Sequence, residues 1–276
     1  MQRLAILITA YNGRDKVLAC LAECYRQADR LSAEGRYEVD IWLNDDGSTE
    51  GISEAVLLRF PKVHLSHSDG TLYWSKGLRK VWLEASEEKY DFYLWLDYKM
   101  VLHDNSIYTL LDNSSFLGHR AIVVGSIESE DGILCRGGRS RSSRLIEPDP
   151  VIPKPCYIFD GRLVLVPKYV FDRLGAMDGR YRHKLGDYDY AIRAYKAEIN
   201  RVVAPGILGV CAREPAVLPW RDPRKSLRDR YRVLFSPLGK PLKEHFLFDL
   251  RSKGLFQAIW TVFKLNFQVL FPVRNY

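Results

Sequence analysis

The sequence lacks several features that would restrict its function class at once. It has five cysteines among 276 residues, at positions 20, 24, 135, 156 and 211. The number is odd and no two of them have the spacing of a metal-binding pair, so we expect buried free thiols in a reducing, cytoplasmic compartment. The apolar start, MQRLAILIT, is followed by a polar turn without a cleavage pattern, and we therefore expect no secretory signal.

The two common phosphate-binding motifs are also absent. The chain contains no GxxxxGK[ST] segment and no GxGxxG after its first apolar run. If the protein binds a nucleotide, we expect carboxylates and backbone amides to hold it.

Positive charge is present in excess, but only near the end of the chain. The net charge is +7, and from Arg213 onward 13 Lys and Arg stand against 5 Asp and Glu. The first 212 residues therefore carry a net charge of −1. This asymmetry predicts an appendage, residues 213–276, with its own anionic partner, either a membrane surface or nucleic acid.

Apolar strands and helical patterns alternate along the rest of the chain. We predict strands at 3–9, 37–43, 63–66, 91–96, 121–126 and 162–166 and a last strand through 209, and helices at 15–30, 52–59, 75–88 and 187–197. This alternation predicts an α/β fold with a mostly parallel central sheet and helices on both faces. In such a sheet, ligands bind at the carboxyl ends of the strands.

Four polar segments fall at those ends: TAYNGRD, NDDGSTEG, SDGTLYWSKG and DYKM. The paired acids of NDDGST can accept hydrogen bonds from a ribose or a base, and they also suit an Asp-rich turn in which Ser48 caps the next helix. Each segment is ambiguous by itself. Four of them at one edge of a sheet favour a binding site.

The order of five motifs resembles the inverting family 2 glycosyltransferases, which have the GT-A fold. The motifs are ITAYN at 8–12, LNDDGST at 43–49, DGTLYWSKG at 69–77, LWLD at 94–97 and GDYDYAIRAYKA at 186–197. The resemblance spans residues 3–213, and the LYW and GDYDY segments are similar to the bacterial rhamnosyltransferase-like branch, which builds surface polysaccharide. It implies a GT-A domain at 1–212, with a nucleotide-sugar-binding half at 1–103 and an acceptor and catalytic half at 104–212.

The resemblance also implies roles for individual residues. The donor nucleoside and its pocket walls are expected at Thr9, Tyr11, Asn12, Asp45, Asp46, Asp69, Trp74, Lys76, Gly77, Asp97 and Lys99. The acceptor side is expected at Gly161, His183 and Asp189.

Asp187 matches the carboxylate that acts as catalytic base in the family. An inverting transfer needs one carboxylate to accept the proton of the attacking hydroxyl, and a position at a helix start is expected to keep Asp187 ionised. The same position also suits a helix-capping residue, and Asp189 is the nearest alternative base.

The segment DYKM departs from the family pattern. Asp97 takes the place of the first acid of the Asp-x-Asp motif that binds Mg²⁺ or Mn²⁺, but Lys99 stands where many relatives carry the second acid. Three alternatives follow: a metal held by Asp97, a diphosphate stabilised by Lys99, or a protein that has lost donor turnover.

The basic extension continues into GLFQAIWTVFKLNFQVLF, residues 254–271, in which Gln257, Thr261, Lys264 and Gln268 form a narrow polar stripe. The segment is too short and too polar at its centre for a membrane span. We expect residues 213–271 to lie on an anionic membrane surface rather than to bind nucleic acid. The alternative is a helix packed on the catalytic domain or on a second copy of the chain, as in a homodimer.

The resemblance implies a glycosyltransferase of the inverting, hexosyl type, and with the basic extension we expect it on the inner face of the cell membrane. It would transfer sugar from a nucleotide-sugar donor to a glycan or a lipid-linked saccharide during surface polysaccharide synthesis. The alternative is a catalytically silent binding or scaffold subunit of the same fold.

Overall fold

The structure is a computed structural model that describes residues 1–212 and 219–272. Residues 213–218 and 273–276 of the predicted extension lie outside this range. The strands are β1 Gln2–Ala10, β2 Tyr37–Asp45, β3 His64–His67, β4 Phe92–Leu96, β5 Met100–Leu102, β6 Ile122–Ser129, β7 Leu134–Arg136, β8 Gly138–Arg139, β9 Lys154–Pro155, β10 Ile158–Phe159, β11 Leu163–Pro167 and β12 Arg201–Cys211. The helices are α1 Arg14–Ala33, α2 Ile52–Arg59, α3 Tyr73–Ala85, α4 Ser106–Phe116, α5 Lys168–Leu174, α6 Gly186–Lys196, α7 Leu227–Phe235, α8 Leu242–Lys253 and α9 Leu255–Leu270.

One sheet runs through the molecule in the order β3-β2-β1-β4-β11-β6-β12-β5. The four strands β3, β2, β1 and β4 are parallel, and β12 is parallel to β6. Only β11 and β5 run in the opposite direction along this path. The predicted mostly parallel sheet is therefore confirmed, and strands from both predicted halves of the domain belong to it.

Alternate side chains of β1 enter two different cores. Leu4, Ile6 and Ile8 pack in the cluster that includes residues of α1, α2 and α4. Ala5 and Leu7 pack in the other cluster, with residues of α3, α5 and α6. A strand buried on both faces needs apolar residues at every position, which explains the continuous apolar run of β1. The prediction of helices on both faces is confirmed.

The sequence patterns did not predict several of the helices and strands. Helices α4 and α5 were not expected, and neither were the short strands β5, β7, β8, β9 and β10. Strands of two or three residues contain too few positions to show a period of two. Helix α4, SIYTLLDNSSF, places polar residues within its buried face, including Ser106, Asn113 and Ser114, so its amphipathic pattern is weak.

The described part of the C-terminal extension folds as α7, α8 and α9, preceded by a 3-10 turn at Pro219–Arg221. Helix α9 shows its apolar side to the outside. Its exposed apolar residues are Leu255, Phe256, Ile259, Trp260, Phe263, Phe267 and Leu270, followed by Phe271 just beyond the helix. In the predicted polar stripe, Gln257, Thr261 and Gln268 are half-buried and Lys264 is exposed.

The inward polar side of α9 has polar partners. Tyr231 of α7 donates a hydrogen bond to Asn266 Oδ1 at 3.2 Å, and Arg230 of α7 donates to the carbonyl oxygen of Val269 at 2.7 Å. The buried residues of α9 are Ala258, Leu265 and Val269, and the larger aromatic side chains lie on the outer face. Over residues 1–212 and 219–272, no helix has both the length and the apolar character needed to cross a bilayer.

Candidate active site

The predicted donor-binding loops meet at the carboxyl ends of β1, β2 and β4. Parallel pairing places Thr9 opposite Asn44, and Ile8 opposite Leu96, the residue before Asp97. The Asn44 amide donates a hydrogen bond to Thr9 Oγ1 at 3.3 Å. The structure thus brings the motifs ITAYN, LNDDGST and LWLD to one edge of the sheet.

Thr9 is covered by helix α3 at Gly77. The Thr9 side chain is 5% exposed, and a Cβ on Gly77 would lie 2.2 Å from Thr9 Oγ1. Glycine at position 77 therefore allows α3 to approach β1 closely. In this arrangement Thr9 and Gly77 contact each other and hold α3 in place.

The two acids of the NDDGST loop organise the loops around them. Asp45 accepts hydrogen bonds from the Ser48 amide at 2.9 Å and from the Ser53 hydroxyl at 2.7 Å. Burial raises the pKa of Asp45, but the hydrogen bonds from Ser48 and Ser53 outweigh burial and hold the pKa below its usual range. Asp45 is therefore an ionised, preorganised group.

Asp46 holds the start of helix α3. Its two carboxylate oxygens accept hydrogen bonds from the amides of Leu72, at 3.3 Å, and Tyr73, at 2.8 Å. Asp69 lies on the loop between β3 and α3, where it is exposed and accepts hydrogen bonds from the amide and hydroxyl of Thr71. The LNDDGST motif thus positions the DGTLYWSKG motif.

Tyr11 and Asn12 form the rim of this edge. Tyr11 is 54% exposed, and its carbonyl oxygen accepts a hydrogen bond from the hydroxyl of Tyr98 at 2.9 Å. Asn12 Oδ1 accepts from the Thr49 amide at 3.0 Å, which joins the β1–α1 and β2–α2 loops. Tyr11 is the predicted donor-binding residue that offers an open aromatic face.

Asp97 lies beside an arginine that sequence reasoning missed. Arg162, just before β11, has Nη1 at 3.4 Å from Asp97 Oδ2 and Nε at 3.7 Å from Asp160 Oδ1. Arg136 Nη1 lies 3.6 Å from Asp160 Oδ2. The side chains of these four residues are 11–20% exposed. Two acids and two guanidinium groups therefore alternate at the end of β4.

The residues around Asp97 do not fit a divalent metal ion. Asp97 Oδ1 accepts the amide of Lys99 at 3.0 Å, and Oδ2 faces Arg162. A divalent ion on the same carboxylate would be repelled by this guanidinium, which lies 3.4 Å from Oδ2. Among residues 1–212 and 219–272, no group of three or more His, Cys, Asp or Glu side chains is placed to hold a metal. The expected Mg²⁺ or Mn²⁺ site stays a prediction that this arrangement does not favour.

Lys99 is exposed, and its ammonium group lies 5.4 Å from the centre of the Tyr98 ring. Since Tyr98 contacts the rim residue Tyr11, Lys99 stands close to the donor edge. Its role on the diphosphate stays a prediction.

Asp187, the predicted base, is in the first turn of α6. Its Oδ2 accepts the amide of Gly161 at 2.9 Å and its Oδ1 accepts the amide of Tyr188 at 2.8 Å. A Cβ on Gly161 would lie 2.3 Å from the Trp74 ring and 3.0 Å from Asp187 Cβ. Glycine at position 161 therefore lets Trp74 and Asp187 approach the same backbone segment.

The protonation of Asp187 differs from the sequence expectation. Burial, followed by the negative charge of Asp160, raises the pKa of Asp187 to about 7, against the two backbone hydrogen bonds. The helix start was expected to keep the carboxylate ionised. Desolvation outweighs the helix dipole here, so that prediction is wrong in sign. A pKa near neutrality is well matched to proton transfer at physiological pH.

The loop that carries His183 is hydrogen-bonded to the first turn of α3, which carries Lys76. The amides of Ser75 and Lys76 donate to the Arg182 carbonyl at 2.9 and 3.3 Å, and the Ser75 hydroxyl donates to the His183 carbonyl at 3.1 Å. The His183 ring lies edge-on to Tyr73, with the ring centres 6.1 Å apart. The loop before α6 is thus attached to the wall of the donor site.

Asp189 points away from the base. It is fully buried, and its carboxylate accepts hydrogen bonds from Tyr181 at 3.1 Å, from Arg193 at 3.2 Å and from Arg251 of α8. This environment gives Asp189 a structural contact that joins α6 to the C-terminal extension. Arg193 lies one turn away on the same helix, whereas Arg251 lies 62 residues away and leaves no local signal in the sequence.

Helix α8 also holds the loop before α6. Glu244 accepts a hydrogen bond from Arg182 Nε at 2.9 Å, and Arg251 Nη2 pairs with Asp178 at 3.0 Å. The extension therefore braces the segment that carries Asp187, and for α8 the structure agrees with the alternative of a helix packed on the catalytic domain.

Comparison with known proteins agrees with this topology. The family model described as Glycosyl transferase family 2 matches residues 5–174, which is more than half of the chain. The matched segment contains the predicted donor residues from Thr9 to Lys99 and ends before α6. A comparison with curated proteins gives no match.

Among solved structures, the crystal structure of S. aureus TarS 1-349 is similar, with a TM-score of 0.54 and 12% sequence identity over 99% of this chain and 76% of that chain. At this identity the similarity concerns the fold, and it supports the predicted α/β GT-A fold. The family match implies a nucleotide-sugar donor, a glycan acceptor and transfer of the sugar between them. This chain belongs to glycosyl transferase family 2 and is a glycosyltransferase.

Proposed function

We propose that the protein transfers a hexosyl-type sugar with inversion, from a nucleotide sugar to a glycan or lipid-linked saccharide, with Asp187 as the base. The observation that carries the proposal is the Asp187 carboxylate, which two backbone amides orient and which burial brings to a pKa of about 7. Single-step inversion requires one such group and no covalent intermediate.

The proposed step balances with this single base. The acceptor hydroxyl gives its proton to the Asp187 carboxylate while its oxygen forms a bond to the anomeric carbon. The bond from that carbon to the diphosphate breaks on the opposite face, and the nucleoside diphosphate leaves with the electron pair. The new glycosidic bond then has the configuration opposite to that in the donor.

The donor would bind at the edge formed by the first four motifs. Tyr11 offers an exposed ring at the rim, and Asp45 is held as an ionised hydrogen-bond acceptor. Trp74 lies between this edge and Gly161, where a sugar bound to the diphosphate would meet it. Donor-binding roles for Asn12, Asp46, Asp69 and Lys76 are part of the same proposal.

A second candidate function is a catalytically silent binding or scaffold subunit. The observation that favours it is the pair of cations, Arg162 and Lys99, at the motif where relatives carry metal-binding acids. A silent protein would bind a nucleotide sugar without releasing nucleoside diphosphate, whereas an enzyme would do both.

Membrane binding is a further part of the proposal. The outer face of α9 carries Phe256, Trp260, Phe263 and Phe267 at 51–84% exposure, and Lys253 and Lys264 are exposed on α8 and α9. Between residues 219 and 272, 11 Lys and Arg stand against 4 Asp and Glu. Aromatic residues beside cations fit the interface of an anionic bilayer, such as the inner face of a bacterial membrane in surface polysaccharide synthesis.

Donor binding and turnover can be separated with Asp187→Asn. UDP-, GDP- and dTDP-linked sugars are titrated by calorimetry, and release of nucleoside diphosphate is then followed with the donor that binds. We expect Asp187→Asn to bind the donor like the wild type but to release product at least ~100-fold more slowly. Asp172→Asn, an exposed carboxylate paired with Lys168, is the matched control.

Donor binding by the wild type without release would favour the silent subunit. No binding of any donor would refute glycosyl transfer from these nucleotides, and product with the donor's own anomeric configuration by NMR would refute inversion.

Membrane binding can be tested by flotation with vesicles that contain phosphatidylglycerol or only phosphatidylcholine. We expect binding to the anionic vesicles, and loss of binding when Phe256, Trp260 and Phe263 are all replaced by Ser. A matched control replaces Leu57 and Leu58, exposed apolar residues of α2, by Ser. Equal binding by both variants would contradict the role of α9.

A further inference from the structure

The antiparallel pairing of β11 with β4 places an arginine at the motif expected to bind the donor diphosphate. Leu163 pairs with Leu96, and the Asp97 amide donates to the Arg162 carbonyl at 2.9 Å. Arg162 is therefore the direct neighbour of Asp97 across the ladder, although 65 positions separate them in the sequence.

Arg162 also lies next to the proposed base. Gly161, which precedes it, donates its amide to Asp187. Arg162 thus belongs to a chain segment whose backbone contacts Asp97 at one residue and Asp187 at the residue before it. In an inverting transfer, the leaving diphosphate and the base lie on opposite sides of the anomeric carbon, so a cation between them is close to the bond that breaks.

The contacts of this guanidinium with Asp97 and Asp160 are long. Arg162 is 3.4 Å from Asp97 and 3.7 Å from Asp160, whereas close charge-assisted hydrogen bonds measure about 2.7–2.9 Å. At these two contacts a phosphate oxygen at hydrogen-bonding distance would interact with the guanidinium more closely than Asp97 or Asp160 does.

A second guanidinium group lies in the same cluster. Arg136 stands on the other side of Asp160 at 3.6 Å. Burial raises the pKa of Asp160, with Arg136 and Arg162 opposing, and burial raises that of Asp187. The guanidinium groups of Arg136 and Arg162 keep their positive charge across the pH range in which proteins are folded.

We propose that Arg162 binds the diphosphate of the nucleotide donor and stabilises the charge of the leaving group, in the place where the motif at Asp97 would put a divalent cation. The inference rests on the proposed function. Arginine suits this role because its planar fork can donate two parallel hydrogen bonds to phosphate oxygens. The electron pair of the broken bond stays on the diphosphate, and no proton is transferred to or from Arg162.

The test compares nucleoside diphosphates with monophosphates, because only the diphosphate should depend on Arg162. UDP, GDP and dTDP, and then UMP, GMP and dTMP, are titrated by calorimetry in EDTA and in Mg²⁺. We expect one diphosphate to bind equally well in both. Arg162→Gln should weaken that diphosphate about 10- to 100-fold and the monophosphate less than about twofold.

Three variants separate the alternatives. Arg162→Lys keeps the charge without the fork, so its loss should be smaller than that of Arg162→Gln. Asp97→Asn should tighten diphosphate binding, because it removes the carboxylate that competes for the guanidinium. Lys99→Ala should cost less than about threefold. The exposed Arg144→Gln is the matched surface control, and circular dichroism checks that each variant folds.

The opposite pattern would overturn the inference while leaving the proposed function intact. Diphosphate binding that requires Mg²⁺ and is abolished by Asp97→Asn would assign the site to a metal. A large loss with Lys99→Ala and none with Arg162→Gln would assign it to the lysine. No nucleotide binding in either buffer would overturn the proposed function and the inference together.

Discussion

Replacing Arg251 by Met tests whether α8 is an integral part of the catalytic fold. Arg251 Nη2 lies 3.0 Å from Asp178, and its Nη1 donates to Asp189, which is fully buried. Methionine keeps much of the aliphatic packing but removes the positive charge. Asp189 would then be left with Arg193 at 3.2 Å and Tyr181 at 3.1 Å.

The expected loss is about 2–4 kcal/mol in the free energy of unfolding. Breaking a buried ion pair by removing one partner costs ~3–5 kcal/mol, because the other charge is left without compensation. Arg193 compensates part of the charge of Asp189, and the Arg251 side chain is 22% exposed, so the expected loss is about 1 kcal/mol smaller than for a fully buried pair.

Urea unfolding followed by circular dichroism measures this loss. The matched control is Arg232→Met in α7, whose partner Asp229 lies at 3.2 Å with side chains 70% and 49% exposed. An exposed pair of this kind contributes only ~0–0.5 kcal/mol. Asp189→Asn, alone and combined with Arg251→Met, completes a double-mutant cycle.

A loss below ~1 kcal/mol for Arg251→Met, similar to that of Arg232→Met, would refute the reasoning. It would mean that α8 does not stabilise the loop before α6 in solution. A coupling energy near zero in the double-mutant cycle would have the same meaning, even if each single variant were destabilised.

Three further changes have defined outcomes. Asp187 has a raised folded-state pKa of about 7, so the wild type loses the stability linked to this proton as pH rises from ~4 to ~7. The Asp187→Asn variant has no such proton. Its free energy of unfolding relative to that of the wild type should therefore increase by ~1–3 kcal/mol between pH 5 and pH 8, as measured by urea unfolding. A flat difference would contradict the raised pKa. Gly161→Ala would put a Cβ 2.3 Å from Trp74, so we expect a loss of ~1–3 kcal/mol together with reduced product release, and wild-type values for both would contradict the close approach. Gly77→Ala would put a Cβ 2.2 Å from Thr9 Oγ1, so we expect this variant to be less stable than the wild type. The double variant Gly77→Ala with Thr9→Ala should recover part of that lost stability in urea unfolding. No recovery would show that another contact is responsible.

Much of the catalytic domain follows from local sequence patterns. Apolar runs such as that of β1 predict buried parallel strands, and the pattern of α3, with Leu78, Val81, Trp82 and Ala85 on one face, predicts a helix packed on the sheet. Both signals depend on a repeat within about ten residues, so they can be read without tertiary information. The place of the site follows as well, because parallel strands bring their carboxyl ends to one edge.

The orientation of α9 could not be read in this way. Its polar stripe predicts a face toward water, but Gln257, Thr261 and Gln268 are half-buried and the aromatic residues are exposed. An amphipathic pattern shows that a helix has two faces. It does not show which face meets the protein when the neighbouring helices carry polar partners such as Arg230 and Tyr231.

The sequence alone determined the alternation of strands and helices, the edge of the sheet at which the motifs gather, and the identity of Asp187 as the candidate base. Tertiary structure decided the environment of Asp97, the protonation of Asp187 and the role of Asp189. Arg162 reaches Asp97 through antiparallel pairing, and Arg251 reaches Asp189 from a helix 62 residues away. Charges and pKa values depend on which groups meet in space and on how well water is excluded, and no local pattern in the sequence records either.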